Sequence, residues 1–227
     1  MISRQNAPMA PRAPRCRSGL RLEWFVGVAS LMALAGCSSR LDVANRDSRG
    51  TTMICFGDSL TQGEGASPGH DYPSLLAKAL GRRVINAGVN GNTTRDALAR
   101  LDSNVLARDP KLVIVEFGGN DFLQGLPRKE TFANLDAIVR RIQARGAMVV
   151  LVGVQPGLFG DAARAEYQKI ARARSAAFVP NILEGILSDP SLKSDELHPN
   201  DLGYEKISQR LLQTVEPLLK RGSHTSR

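Results

Sequence analysis

The sequence predicts an α/β protein: a three-layer α/β/α sandwich built on a five-stranded parallel sheet. Three observations predict it. From Thr52 onward short apolar runs alternate with segments of helical period. The runs LVIVEF and MVVLVGV are nearly continuous in apolar residues, as strands covered on both faces must be. Turns rich in Gly, Asn and Asp follow the runs, which is where right-handed crossovers of a parallel sheet leave their ligand-binding loops.

Taken in order, the expected strands lie near 52–56, 83–86, 111–117 and 147–154, with a weaker one at 176–179. A helix is expected after Gly91, where Thr93 and Asp96 have capping-box spacing and Ala97, Leu98 and Leu101 supply an apolar face. The clearest helix is 129–145, because Phe132, Leu135, Ile138, Val139 and Ile142 recur at helical spacing and Gly146 is a stop signal. No internal repeat or low-complexity tract is visible. A chain of 227 residues is enough for one domain with a filled core and too short for two ordinary ones, so a single site is expected.

The formal net charge of +8 invites a nucleic-acid reading, but much of it is concentrated at the start of the chain. The first 36 residues hold five arginines against one acid, Glu23, and the remainder is only mildly basic with no Lys/Arg-rich run. Nucleic acid is therefore not implied as a partner. Arg12, Arg15, Arg17 and Arg21 precede an apolar stretch from Trp24 to Ala35, too short to span a bilayer and suited to a signal core. It ends in Leu34-Ala35-Gly36-Cys37, which resembles a bacterial lipobox; the resemblance implies cleavage before Cys37 and diacylation of its thiol. The plain alternative is a buried N-terminal helix carrying an ordinary cysteine. The start is either Met1 or Met9.

This gives the expected organisation: residues 1–36 a lipoprotein signal peptide, 37–51 the lipidated Cys37 and a flexible polar tether, 52–219 the folded domain, and 220–227 a frayed tail. Ser38, rather than Asp, after the cysteine points to the periplasmic face of the outer membrane, with the membrane as a partner through the lipid anchor. Cys16 lies in the signal, so Cys55 is the one cysteine left to the domain and no disulfide is expected there. Its apolar flanks make it a core residue rather than a catalytic thiol.

Ser59 ends the first apolar run in Gly57-Asp58-Ser59-Leu60-Thr61, at the carboxyl end of a strand. A serine there is commonly a helix N-cap. As a nucleophile it needs a base, and imidazole suits proton transfer near neutral pH. The chain has three histidines: His224 lies in the polar tail, and His70 lies in a loop with Asp71 as its adjacent carboxylate. His198 follows Asp195 by three residues in DELHPN, a spacing at which the carboxylate can hold Nδ1 and turn Nε2 toward the serine. An incidental charged turn would look the same. Acyl transfer also requires donors for an oxyanion, and two loops offer them: Asn86-Ala87-Gly88-Val89-Asn90-Gly91-Asn92 through the N–H of Gly91, and Gly118-Gly119-Asn120-Asp121 through the amide of Asn120. Each alone is an ordinary turn.

Together GDSL, the Gly91 loop, GGND and DELHPN resemble the four signature blocks of the SGNH/GDSL hydrolases, in order and spacing, over residues 52–219. The resemblance is closest to bacterial periplasmic arylesterases and the acyl-CoA thioesterase/lysophospholipase type. It implies a flavodoxin-like sandwich and a serine esterase acting on small acyl or aryl esters through an acyl-enzyme, without metal or other cofactor. The implied roles are Ser59 as nucleophile, His198 as base, Asp195 orienting it, and Ser59, Gly91 and Asn120 as oxyanion-hole donors. Envelope glycan O-deacetylation and an inactive ligand-binding lipoprotein are the alternatives. Pocket walls are expected from 122–127 and 155–159, and neither the physiological ester nor the oligomeric state is given by the sequence. The chain has no G-x-S-x-G elbow, P-loop, dinucleotide fingerprint after the first strand, or HExxH spacing.

Overall fold

A computed structural model describes residues 42–154 and 160–220, apart from the side chains of 160 and 161. The expected signal peptide, Cys37, the pocket wall at 155–159 and the tail beyond 220 lie outside the described residues.

Five parallel strands form one sheet: β1 (Thr52–Gly57), β2 (Val84–Gly88), β3 (Pro110–Glu116), β4 (Met148–Val152) and β5 (Ala177–Val179), in the spatial order β2-β1-β3-β4-β5. The helices are α1 (Ser59–Gln62), α2 (Tyr72–Leu80), α3 (Thr94–Asn104), α4 (Gly119–Leu123), α5 (Arg128–Ala144), α6 (Gly160–Ala173) and α7 (Asp201–Leu219). Alternate residues of the strands supply two cores. Met53, Cys55, Ile114 and Val150 face α2 and α7, whereas Ile54, Phe56, Val115 and Leu151 face α3, α5 and α6. This period of two explains why the runs are apolar throughout. Cys55 is fully buried, as its flanks imply.

The chain starts in the middle of the sheet, moves outward to β2, and returns past β1 to β3. The order therefore reverses between β1 and β3, and a crevice opens at the carboxyl ends of those strands. Local signals fix the helix starts that border the crevice. Thr93 and Asp96 form the expected capping box of α3, Asp71 caps α2 through Ser74 N at 3.0 Å, and Asn200 caps α7 through Gly203 N at 3.1 Å.

The observed elements differ from the expected ones by one or two residues at most ends. One expectation is corrected: the described part of the tether, residues 42–50, lies on the domain. Val43 is buried in the core beside α7. Asn45 donates its amide to the carbonyls of Gln143 (2.9 Å), in the last turn of α5, and Ala147 (3.0 Å), just before β4, and Ala44 N donates to Ser175 O (2.8 Å). The segment is polar because its work is to pair distant backbone carbonyls, a role that has no periodicity to read.

Candidate active site

The crevice is a cavity of about 350 Å³ at the ends of β1, β2 and β3, lined by Ser59, Gly91, Asn120 and His198 among others. Ser59 opens α1, and the N-cap of that helix is Asp58, not Ser59: the Asp58 side chain accepts the Leu60 N–H at 3.1 Å. The serine hydroxyl is thus left for another partner, His198 Nε2, at 3.1 Å.

His198 belongs to a turn closed by Ser194 N donating to His198 O at 2.9 Å. Asp195 Oδ1 accepts the backbone N–H groups of Leu197 (2.7 Å) and His198 (2.9 Å), so the turn itself fixes the carboxylate. Asp195 Oδ2 lies 2.9 Å from Nδ1 of the ring. With Nδ1–H donating to Asp195, Nε2 carries the lone pair that accepts the Ser59 hydroxyl proton. The Leu197 N–H holds the Asp195 carboxyl below the ordinary carboxylate range, with the His198 ring adding to it. His70, by contrast, has Asp201 at 3.8 Å as its nearest carboxylate. Asp71 is occupied by Ser74 and Asn86.

Two backbone N–H groups of residues that line the cavity, those of Ser59 and Gly91, donate to no group among the described residues. Gly91 has φ +73°, and a Cβ there would meet nothing within 4 Å. Glycine is therefore demanded by the left-handed backbone and not by crowding. Asn120 does reach the pocket, but both hydrogens of its amide are engaged, one with Asp58 Oδ2 and one with Asn92 O, each at 3.1 Å. An oxyanion would have to share or displace one of these acceptors.

Three residues that matter here were not singled out in the sequence. Glu116, at the end of β3, is fully buried, and its Oε2 accepts from Thr61 Oγ1 (2.8 Å) and Asp58 N (3.3 Å). Thr61 Oγ1 in turn lies 2.6 Å from Tyr72 Oη, and Glu116 Oε1 has no hydrogen-bond partner among the described residues. Gly57 makes room for this carboxyl: a Cβ there would sit 2.5 Å from Glu116 Oε2 and 2.0 Å from Thr61 Oγ1. Burial, and after it the neighbouring Asp58, pushes the Glu116 carboxyl well above its ordinary range, and burial pushes Asp58 up to about 6. The signal for Glu116 was an acid inside the otherwise apolar run LVIVEF. Arg100, the second, ties three pieces of the site together by donating to Gly57 O (2.8 Å), Ala87 O (2.8 Å) and Asn92 Oδ1 (2.6 Å). The third is Asp58 itself, through its hold on Asn120.

Residues 55–206 match the GDSL-like lipase/acylhydrolase family. The chain belongs to that family. Esterase TesA of Pseudomonas aeruginosa is 30% identical over 199 residues, covering 83% of this chain and 98% of that protein. Thioesterase 1/protease 1/lysophospholipase L1 of Escherichia coli is 29% identical over 180 residues, covering 76% of this chain and 86% of its own length. The crystal structure of TesA superposes with a TM-score of 0.70 at 30% identity, covering 74% of this chain and 100% of that one. The sheet and its flanking helices are the α/β fold of this family, as the sequence predicts.

Of the expected walls, 122–127 contributes Leu123, while Phe122 packs toward Phe132 with ring centroids 6.2 Å apart. Beside Leu60, the neighbour of Ser59, Val154, Leu183 and Leu197 complete the described apolar lining. They come from three separate stretches of chain, so no local pattern groups them.

Proposed function

We propose that this carboxylic ester hydrolase works through Ser59 as nucleophile, His198 as general base and Asp195 as the group that orients and charge-stabilises the imidazole. One observation carries the reading: the unbroken path from Asp195 Oδ2 to His198 Nδ1 (2.9 Å) and from Nε2 to Ser59 Oγ (3.1 Å), which enters the cavity that His198 and Ser59 line. His198 takes the hydroxyl proton as Oγ attacks the ester carbonyl. The negative charge moves to the carbonyl oxygen beside the N–H groups of Ser59 and Gly91, with Asn120 as third donor once its amide turns from Asn92 O or Asp58. Collapse of the tetrahedral adduct passes the proton from Nε2 to the leaving alcohol. Water then attacks the acyl-serine by the same route.

Apolar side chains at the mouth, Leu123 and Leu197, favour an acyl chain, so acyl esters, lysophospholipids and thioesters of that kind are the proposed substrates. Cys37 is proposed as the site of a lipid anchor that holds the enzyme at the periplasmic face of the outer membrane, on the strength of the LAGC pattern after a short apolar stretch. The test is labelling by a fluorophosphonate together with rates on p-nitrophenyl esters from acetate to palmitate. Labelling should vanish in Ser59→Ala, and Ser59→Ala and His198→Ala should each lose several orders of magnitude in turnover while staying folded. Near-parental turnover by either folded variant would refute the assignment.

A further inference from the structure

The cavity is asymmetric about the nucleophile in a way that follows the strand order. Toward β3, β4 and β5 its described walls are Leu123, Val154 and Leu183; toward β2 they are Asn90, Gly91 and Glu64, with Leu60 next to Ser59 and Leu197 next to His198 in the chain. No Lys or Arg is among the described lining residues.

Glu64 is an exposed residue, yet it is held in place. Its backbone N–H donates to Ser59 O (3.0 Å), and its carbonyl accepts from the buried Tyr204 hydroxyl (2.8 Å). One carboxylate oxygen, Oε2, accepts the Asn90 amide at 2.6 Å. The other takes no hydrogen bond from any described residue. The next residue, Gly65, packs against the loop that carries His198, since a Cβ there would lie 2.2 Å from Ser194 Oγ and 2.5 Å from Pro199 O. Glu64 therefore stands on the wall between His198 and the Gly91 loop. If His198 delivers the proton to the departing oxygen, the alcohol leaves on that side, and the acyl chain takes the apolar wall opposite.

We infer that Glu64 sets the enzyme's charge preference for the leaving alcohol, favouring esters whose alcohol carries a cationic group near the ester oxygen and disfavouring anionic ones such as phosphate-rich thioesters. The inference rests on the Ser59–His198 assignment and adds the substrate class to it. A fixed carboxylate within several ångströms of the alcohol, in a site open to solvent, should change relative kcat/KM by roughly 5- to 20-fold at low salt.

The experiment compares octanoyl esters of choline, of its uncharged carbon analogue and of isethionate, following octanoate release by pH-stat. The choline-to-isethionate ratio of kcat/KM should exceed one in the parent enzyme, approach one in Glu64→Gln and invert in Glu64→Lys. Because each ratio is taken within one variant, any effect of the charge on His198 cancels. A ratio unchanged in Glu64→Gln, or a parent enzyme that prefers the isethionate ester, would overturn the inference. If Ser59→Ala hydrolysed all three esters as fast as the parent, the nucleophile assignment would fail instead; Ser59-dependent hydrolysis indifferent to charge fails this inference alone.

Discussion

Replacing Arg100 with Met tests whether the site depends on a residue that touches none of the reacting atoms. The guanidinium donates to the ends of β1 and β2 and to the side chain of Asn92, whose carbonyl receives the Asn120 amide. It also lies over the Phe56 ring at 4.5 Å from the centroid. Three bonds from a charged donor would total several kcal/mol in isolation. Desolvation works against them, and it is what pulls the Arg100 pKa below its ordinary value. Met keeps much of the contact with the ring. Gly57 O also keeps the Val89 N–H at 3.1 Å. The net loss of stability should therefore be about 1–3 kcal/mol, which leaves a folded enzyme. The rate should suffer more. With Asn92 released, the Gly91 and Asn120 donors can drift, and a displacement of about 1 Å costs on the order of 10²-fold in kcat. Urea unfolding gives the first quantity. Steady-state rates on p-nitrophenyl butyrate, taken well below the melting temperature, give the second, with KM nearly unchanged. Added guanidinium ion should restore part of the rate to Arg100→Gly. A variant that loses stability but keeps parental kcat would show that Arg100 only braces the scaffold, and the positioning argument would be wrong.

Removing the Asn120 amide should lower kcat by roughly 10²–10³-fold, and Asn120→Ala should also lose stability, since Asp58 Oδ2 and Asn92 O each lose a donor; an effect confined to KM would make Asn120 a substrate-binding group. Glu116 gives a pH prediction. Burial raises its folded pKa well above the ordinary carboxylate range and that of Asp58 to about 6, so folding favours the protonated forms. The stabilisation is complete below the unfolded carboxylate range, about pH 4, and is lost as pH rises through the raised values. Glu116→Gln keeps an acceptor for Thr61 and Asp58 N but carries no charge. Its melting temperature relative to the parent should rise between about pH 4 and pH 8, and a constant difference across that range would refute the reading. Cys37→Ser should abolish incorporation of labelled fatty acid and block normal signal processing, whereas fractionation that finds the unprocessed native chain in the cytoplasm would refute the anchor.

What the sequence made legible is what physical periodicity encodes. Residues such as Ile54, Val115 and Leu151 announce strands because both faces of the sheet are covered, and Thr93 with Asp96 announces a helix start because capping is local. That Ser59, Gly91, Asn120 and His198 line one cavity was also legible, since Ser59 and Asn120 begin short helices after β1 and β3, Gly91 lies in the turn after β2 and His198 in the turn before α7. The remainder consists of pairings between segments far apart in the chain. Arg100 reaches Gly57 across 43 positions, Glu116 reaches Thr61 across 55, and Tyr204 reaches the Glu64 carbonyl across 140. No spacing rule connects such residues, and each looks alone like an unremarkable member of its helix, strand or loop. Val43 and Asn45 were misjudged for the same reason, in a segment whose order comes wholly from distant partners.

That division bears on how the site holds its shape. Ser59 and Asn120 begin short helices and Gly91 lies in a turn, each after a strand whose ladder has ended, so bonds between these segments must hold them in place. The cross-ties do this: Arg100 joins the first two loops, and Asp58 and Asn92 hold the third through the Asn120 amide. Beneath them Glu116 takes the Asp58 N–H and the Thr61 hydroxyl at the cost of burying a carboxyl with one oxygen unpaired among the described residues. A buried acid is a poor way to stabilise a fold, since burial strips the carboxylate of its hydration. It is a good way to fix the direction of a turn, because two donors from that turn converge on one oxygen. The stability lost to Glu116 above pH 4 is therefore expected to be offset in the precision of Ser59, and two variants should separate the effects: Glu116→Gln, which keeps the acceptor, should melt higher than the parent at about pH 8 with nearly parental kcat, whereas Glu116→Leu, which leaves the Asp58 N–H and the Thr61 hydroxyl without an acceptor, should lose kcat. If kcat stays at the parental level in that variant, the acid does not aim the serine.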